Sequence, residues 1–339
     1  MKFDTKILDD SDRSVKTAAE FIQQGMVVGM PTETVYGLAA NAFDEQAVAE
    51  IFKAKGRPSD NPLIVHIADL DMLEDIVTEV PCLAKKCAEK FWPGPLTMIM
   101  PKSDKIPMVT SGGLDTVGIR FPSHKTAQRL IKMSGLPLAA PSANISGSPS
   151  PTTAMHVFND MAGKIPCILD GGSCGVGVES TVISFEKDAI RVLRPGFISP
   201  EDLEQVTGNI VIDKGVLHML EGNVKAASPG MKYKHYSPKA DITIIEGNDE
   251  QFRSYIAEHS HEDIWCMTFT DDDLNGIDIP FISYGKTDAE QARLLFDTLR
   301  ELDNRRAKKV YARCPHKTEV GLAVYNRLLR AAGFQVIKL

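Results

Sequence analysis

Short apolar runs, each closed by turn residues, recur from one end of this chain to the other, and they restrict its fold more than any other feature. Met26–Pro31 and Pro62–Ile67 are two of them. Apolar runs of that length between turn signals read as buried strands. Between them, Asp44–Ala54 places Ala47, Val48, Ile51 and Phe52 at helical spacing, with Asp44 positioned as the cap. Further strands are predicted at Leu96–Pro101, Thr116–Pro122, Leu136–Ala140, Cys167–Asp170, Ser180–Phe185 and Ile190–Leu193, with a helix at about His124–Met133. Strands outnumber helices and several are joined by short turns, which fits a mixed α/β sheet better than a strictly parallel one.

The last hundred residues alternate more regularly. Strands are predicted at Asp241–Glu246, Ile264–Phe269, Pro280–Ser283, Lys309–Ala312 and Gln335–Leu339. One helix, Asp288–Arg305, carries Ala292, Leu295, Phe296, Leu299 and Leu302 on one face. Another runs from about Glu319 to Ala332, with Gly333 in the C-cap position. The pattern predicts a small doubly wound, Rossmann-like α/β domain. It contains neither GxGxxG nor GxxxxGK[ST], and nothing in it marks a catalytic site.

A length of 339 residues suggests about two domains, and charge locates the seam. Residues 1–225 carry a net charge of −6 and residues 241–339 one of −4. Between them, AASPGMKYKHYSPKA (226–240) has three lysines and no acid, two Ser-Pro pairs and two tyrosines. It reads as an interdomain linker, more than a plain spacer because flexible spacers are usually Gly/Ser-rich. The expected domains are therefore 1–225, a linker or lid at 226–240, and 241–339. The total charge of −7 argues against a surface that coats nucleic acid. No apolar stretch approaches 18 residues, so no membrane helix is expected. The N-terminal residues lack the apolar core of a secretory signal, and the six cysteines form no CxxC pair. Free thiols in a reducing cytoplasm are the expectation.

Several segments carry polar groups where α/β sheets hold ligands. Thr32-Glu-Thr-x-Tyr36 follows a buried strand directly. A single Thr there would be an ordinary turn residue; the cluster points to a binding loop. In Lys55-Gly-Arg-Pro, Gly56 allows close approach and Arg57 offers a rigid donor fork, with a solvated basic turn as the alternative. Asn61-Pro-Leu leads into a strand ending at His66. Arg120 lies in an apolar strand, where a charge must bind an anion or make an internal salt bridge. Ser142, Asn144 and Ser146 follow another strand among small residues, and a polar turn is the alternative there. The Gly-rich segment 171–177 precedes Ser180 and Thr181, and Arg194-Pro-Gly ends a further strand. There is no GxSxG, no HExxH and no zinc spacing. Cations, hydroxyls and amides without an activated nucleophile suit positioning and charge stabilisation of a phosphoryl or nucleotidyl group.

Pro31-Thr-Glu-Thr-Val-Tyr-Gly-Leu, Lys55-Gly-Arg-Pro, Asn61-Pro-Leu, Phe91-Trp-Pro-Gly-Pro-Leu-Thr and Pro141-Ser-Ala-Asn occur in that order. The series resembles the YrdC-like family. With Ser228-Pro-Gly-Met-Lys-Tyr-Lys-His-Tyr-Ser-Pro and the small domain after it, it resembles the long, two-domain L-threonylcarbamoyladenylate synthases. The resemblance implies a YrdC-like mixed twisted sheet with helices. It also implies a nucleotidyltransferase that turns L-threonine, bicarbonate and ATP into threonylcarbamoyl-AMP, pyrophosphate and water. The product would pass to the threonylcarbamoyl transferase machinery that modifies position 37 of ANN-decoding tRNAs; direct tRNA binding is left open. Lys55 and Arg57 would be catalytic. Thr34, His66, Arg120, Ala140 and Ser180 would hold threonine. Arg57, Asn61, Thr116, Ser142, Asn144, Ser150, Arg194 and Tyr236 would hold ATP, Tyr236 as a lid contact. Mg2+ would come with ATP, and no tightly bound protein metal is expected. Two other readings are an RNA-binding module, disfavoured by the charge, and a carbamoyltransferase of the hydrogenase-maturation type, disfavoured by the missing CxxC pairs.

Overall fold

The structure is a computed structural model that describes residues 3–58, 61–217 and 236–339. The chain forms two compact units. The first comprises described residues up to 146 and from 150 to 217, the second residues 147–149 and 236–339. Of the expected linker, residues 226–235 lie outside the described residues; residues 236–240 belong to the second unit.

The first unit runs β1 (Lys6–Leu8), α1 (Asp12–Gln23), β2 (Val28–Met30), β3 (Gly37–Asn41), α2 (Glu45–Lys55), β4 (Ile64–His66), α3 (Leu73–Ile76), α4 (Cys82–Phe91), β5 (Leu96–Pro101), α5 (Met108–Ser111), β6 (Thr116–Arg120), α6 (Lys125–Ser134), β7 (Leu138–Ala139), α7 (Ala154–Met161), β8 (Cys167–Leu169), β9 (Thr181–Phe185), β10 (Ile190–Arg194), α8 (Pro200–Thr207) and β11 (Ile210–Ile212). Its strands form one sheet in the order β1-β8-β2-β3-β7-β4-β6-β5-β9-β10-β11. Parallel pairs such as β4/β6 and β5/β9 alternate with antiparallel ones such as β2/β3 and β5/β6, so the sheet is mixed.

Side chains alternate between the two faces of a strand, and here the two faces are finished differently. One face packs Val65, Met98, Val117, Ile119 and Ile183 into the main core with Val48 and Ile51 of α2, Ala84 and Cys87 of α4, Val157 of α7 and Leu203 of α8. On the other face, α1 and α6 bury Val28, Met30, Leu138, Ala140, Cys167 and Leu169. That second layer covers only the β8-β2-β3-β7 side. Over β4, β6, β5, β9 and β10 the same face carries polar side chains, among them His66, Arg120 and Thr97, beside a small apolar cluster of Ile99, Val182 and Leu193.

The second unit runs β12 (Asp241–Glu246), α9 (Asp249–His259), β13 (Trp265–Thr268), β14 (Phe281–Ser283), α10 (Asp288–Asn304), β15 (Lys309–Arg313), α11 (Glu319–Ala331) and β16 (Val336–Lys338). All its strand pairs are parallel, in the order β14-β13-β15-β12-β16. The chain moves one way across the sheet from β12 to β14 and back from β14 to β16. Right-handed crossovers then put α9 on one face and α10 and α11 on the other, where these two pack together. This is the doubly wound arrangement expected. One detail differs: the cap of α11 is Ala332, and Gly333 stands one residue beyond it at φ 57. The left-handed residue that ends a helix belongs at that outer position.

α2 begins where the sequence places it. Asp44 accepts from the backbone N–H of Gln46 at 2.9 Å and of Ala47 at 3.2 Å, and Gly56 closes the helix at φ 62. Replacing Asp44→Ala leaves those donors to water and is expected to cost about 1 kcal/mol, read as a lower urea midpoint with an unchanged slope.

Candidate active site

The site grows from neighbouring strands that bring polar residues to one level. His66 at the end of β4 pairs with Arg120 at the end of β6 and with Leu138 of β7. Arg120 pairs in turn with Thr97 of β5, and Thr97 with Val182 of β9. Ala140, two residues after Leu138, and Ser180, two before Val182, fall on the same face. The Thr97 and Ser180 hydroxyls are 2.7 Å apart. The register of β10 shifts between Val192 and Arg194. Such a bulge re-aims the side chain that follows it, and Arg194 donates from Nε to the Ser180 carbonyl at 3.1 Å and from Nη2 to its hydroxyl at 3.2 Å. The glycine of Arg194-Pro-Gly is required by contact: a Cβ on Gly196 would stand 2.3 Å from the Thr181 nitrogen.

Arg120 is 3% exposed and its needs organise the surroundings. Nη2 lies 2.7 Å from Glu33 Oε1, Nη1 donates to the Thr34 hydroxyl at 2.7 Å, and Nε to the Gly94 carbonyl at 3.4 Å. The internal salt bridge and the site residue are therefore one and the same. Burial acts to raise the Glu33 pKa, and the charge and hydrogen bond of Arg120 outweigh it, holding the carboxyl below its usual range. His66 is pushed down to about 3 by burial and by Arg120, so its imidazole is neutral at neutral pH. Thr32 bonds the Thr34 hydroxyl at 2.9 Å and the Val35 carbonyl at 2.6 Å, which folds the loop over Arg120. Tyr36 then donates to the Gly172 carbonyl at 2.7 Å and accepts from the Gly171 N–H at 3.1 Å, tying the Gly-rich segment to the same loop.

A second group forms around the end of α2. Lys55 is buried, and its Nζ donates to the Ser142 carbonyl, to the Asn144 carbonyl at 2.9 Å and to Asn144 Oδ1 at 3.3 Å. The Ser142 hydroxyl donates to Asn144 Oδ1 at 2.6 Å. Burial, reinforced by the charge of Arg57, pushes the Lys55 amine down to about 7. Ser150 donates to Glu179 Oε1 at 2.5 Å, next in sequence to Ser180.

Two expected ATP residues lie toward the start of β6, the end opposite Arg120, and a third belongs to the second unit. Thr116 begins β6, four residues or about 13 Å of strand from Arg120. Asn61 is buried toward that same end, because Leu63 donates to the Thr110 carbonyl and Gly112 leaves no room for a Cβ against Pro62. Tyr236 is in the second unit, at φ 63, with its ring centroid 5.1 Å from that of Phe296 and the Arg327 guanidinium 5.9 Å above it. Arg57 follows the left-handed Gly56 and is half-buried. Sequence reasoning gave no partner role to Glu33, Thr97 or Glu179, although Glu33 lies in the Thr32–Tyr36 cluster, Thr97 in the Phe91–Thr97 motif and Glu179 directly before Ser180.

In the second unit, β12 and β15 are neighbours whose following helices lie on opposite faces, the position where such folds hold ligands. Arg313 fills it. Its Nη1 donates to the Gly247 carbonyl at 2.6 Å, it pairs with Asp249 and Asp272, and its guanidinium lies 5.0 Å over the Phe252 ring. All six cysteines are free. Among the described residues no three His, Cys, Asp or Glu side chains gather as a metal site, and no helix is long and apolar enough to cross a membrane.

The state of Lys55 is measurable. With a folded pKa near 7 and an unfolded one near 10.5, the unfolded chain binds more protons across that window. Wild-type stability relative to Lys55→Met is therefore expected to be flat below pH 7 and to rise from pH 7 towards about pH 9. Urea unfolding of both proteins at a series of pH values checks it; a difference that stays constant means the amine remains charged.

Known proteins share this architecture. The Sua5/YciO/YrdC family model, described as "Telomere recombination", matches residues 20–196. The model "Threonylcarbamoyl-AMP synthase, C-terminal domain" matches residues 198–333. The threonylcarbamoyl-AMP synthase of Pyrococcus abyssi is 46% identical over 96% of this chain and 95% of its own length. That of Bacillus subtilis is 46% identical over 98% and 97%. The crystal structure of P. abyssi Sua5 complexed with L-threonine superposes with a TM-score of 0.91 at 44% identity, covering 99% of this chain and all of that one.

Proposed function

The chain belongs to the threonylcarbamoyl-AMP synthase family, and on that premise we propose that it is a nucleotidyltransferase making threonylcarbamoyl-AMP from L-threonine, bicarbonate and ATP. One observation carries the reading: Ala140, His66, Arg120, Ser180 and Arg194 converge on one sheet face of a chain this similar to named synthases.

The roles follow from the side chains. Arg120 takes the threonine carboxylate, with Thr34, His66 and Ser180 around the substrate and Ala140 leaving it room. Arg57, Asn61, Thr116, Ser142, Asn144, Ser150, Arg194 and Tyr236 are assigned to ATP. Lys55 and Arg57 oppose the phosphate charge, and Lys55 also fixes the Ser142–Asn144 turn. The threonine nitrogen bonds to the carbon of bicarbonate and water leaves, giving a carbamate. A carbamate oxygen then attacks the α-phosphorus, the bond to the β-phosphate oxygen breaks and pyrophosphate departs. No protein nucleophile is needed, so catalysis lies in alignment and in charge stabilisation. Magnesium enters as part of the MgATP substrate. We assign the enzyme to the cytoplasm, upstream of the transferase that modifies tRNA.

Incubation with labelled threonine, bicarbonate, ATP and magnesium is expected to release pyrophosphate only when threonine is present; release without threonine, or none, defeats the assignment. Arg120→Lys keeps the charge and loses the donor fork. It is expected to weaken threonine binding by about ten-fold or more while ATP binding changes little, read by calorimetry of each ligand. Equal losses would place Arg120 outside the threonine pocket.

A further inference from the structure

We propose that Glu33 and Arg120 act as a charge-matched pair that selects a zwitterionic amino acid over other carboxylates of the same shape. The inference rests on the threonine-binding reading above and adds a specificity residue, Glu33, to it.

The charge balance of the pocket is the starting point. Arg120 is buried and positive, and Glu33, whose side chain is only 13% exposed, is negative 2.7 Å from it. The other residues assigned to threonine (Thr34, His66, Ala140 and Ser180) carry no charge at neutral pH, His66 because burial and Arg120 keep it neutral. The residues assigned to threonine, together with Glu33, therefore present one positive and one negative pole, and the further buried cation of this face, Arg194, is engaged at Ser180. A lone buried arginine would attract any carboxylate. With Glu33 beside it, a carboxylate approaching Arg120 also meets a fixed negative charge in a poorly screened site. A free amino acid offsets that repulsion with its ammonium group, and a 2-hydroxy acid has nothing to offset it with. Selectivity then comes from the penalty laid on the wrong ligand.

A second observation separates this role from simple orientation of Arg120. A carboxylate retained only as a structural partner is normally satisfied at both oxygens. Oε1 of Glu33 meets Arg120 and accepts from the Ser123 N–H at 3.2 Å. Oε2 is buried with no hydrogen-bond partner among the described residues.

The test compares two ligands on the full chain: L-threonine and 2,3-dihydroxybutanoate of matching configuration, which has a hydroxyl in place of the amine. Binding is measured by calorimetry for wild type, Glu33→Gln and Glu33→Asp, and ATP binding reports that each variant is folded. Wild type is expected to favour threonine by about ten-fold or more, the scale of one unscreened charge contact. Glu33→Asp should keep that preference, and Glu33→Gln should reduce it to about three-fold or less. A merely structural Glu33 would weaken both ligands alike, so an unchanged ratio in Glu33→Gln overturns the proposal. Should Glu33→Gln fail to fold, the wild-type ratio decides alone, and a preference under about three-fold overturns the proposal. Wild type that binds neither ligand defeats the threonine reading itself, a result distinct from an unchanged ratio.

Discussion

A guanidinium buried at the end of a central strand is the constraint from which the first unit's active face is built. Arg120 cannot stay unpaired where it is buried. Glu33, Thr34 and the Gly94 carbonyl answer it from two different turns. The loop between β2 and β3 is thereby drawn over the sheet, and the turn before β5 is held against β6. Tyr36 ties the same loop to the Gly-rich segment. Beside Arg120, Thr97, Ser180 and Arg194 form a second set of polar contacts on the same face.

Arg120 and Lys55, two of the buried cations of the first unit, are satisfied in different ways, and each way suits its place. The planar fork of Arg120 meets a carboxylate and a hydroxyl at once. Lys55 is a point charge with three donors, and it is surrounded by three oxygens of the Ser142–Asn144 turn. The first arrangement fixes direction. The second fixes a loop while leaving positive potential at the helix end beside Arg57. In the second unit another buried cation, Arg313, occupies the place where comparable folds bind ligands.

Much of the architecture was legible because it rests on local pattern. The strands at Leu96–Pro101 and Asp241–Glu246 agree residue for residue, and Asp44, Gly56 and the apolar face of α10 lie where their chemistry requires. Some elements were missed although their signals were present. α1 buries Val15, Ala18, Ala19 and Ile22 at helical spacing behind Ser11 as its cap. Others carried little signal. β3 is Gly-Leu-Ala-Ala-Asn, too small and too weakly alternating to read as a strand, and only its pairing with β2 and β7 makes it one. β7 holds two residues because both its neighbours are antiparallel and brief.

The same division holds for the site and for the charge that bounded it. Residue chemistry alone determined that this acidic chain would gather a few cations, hydroxyls and amides at the ends of short strands, and that it offered no nucleophile. Those are properties of side chains and of the turns beside them. Tertiary structure decided which groups meet. Glu33 and Arg120 are separated by 87 positions and Thr97 and Ser180 by 83, and no periodicity within a strand can announce such pairings. They follow from strand order and register, which place His66, Arg120 and Thr97 side by side. The net negative charge thus conceals a neutral pair at its centre, made only when the sheet closes around Arg120.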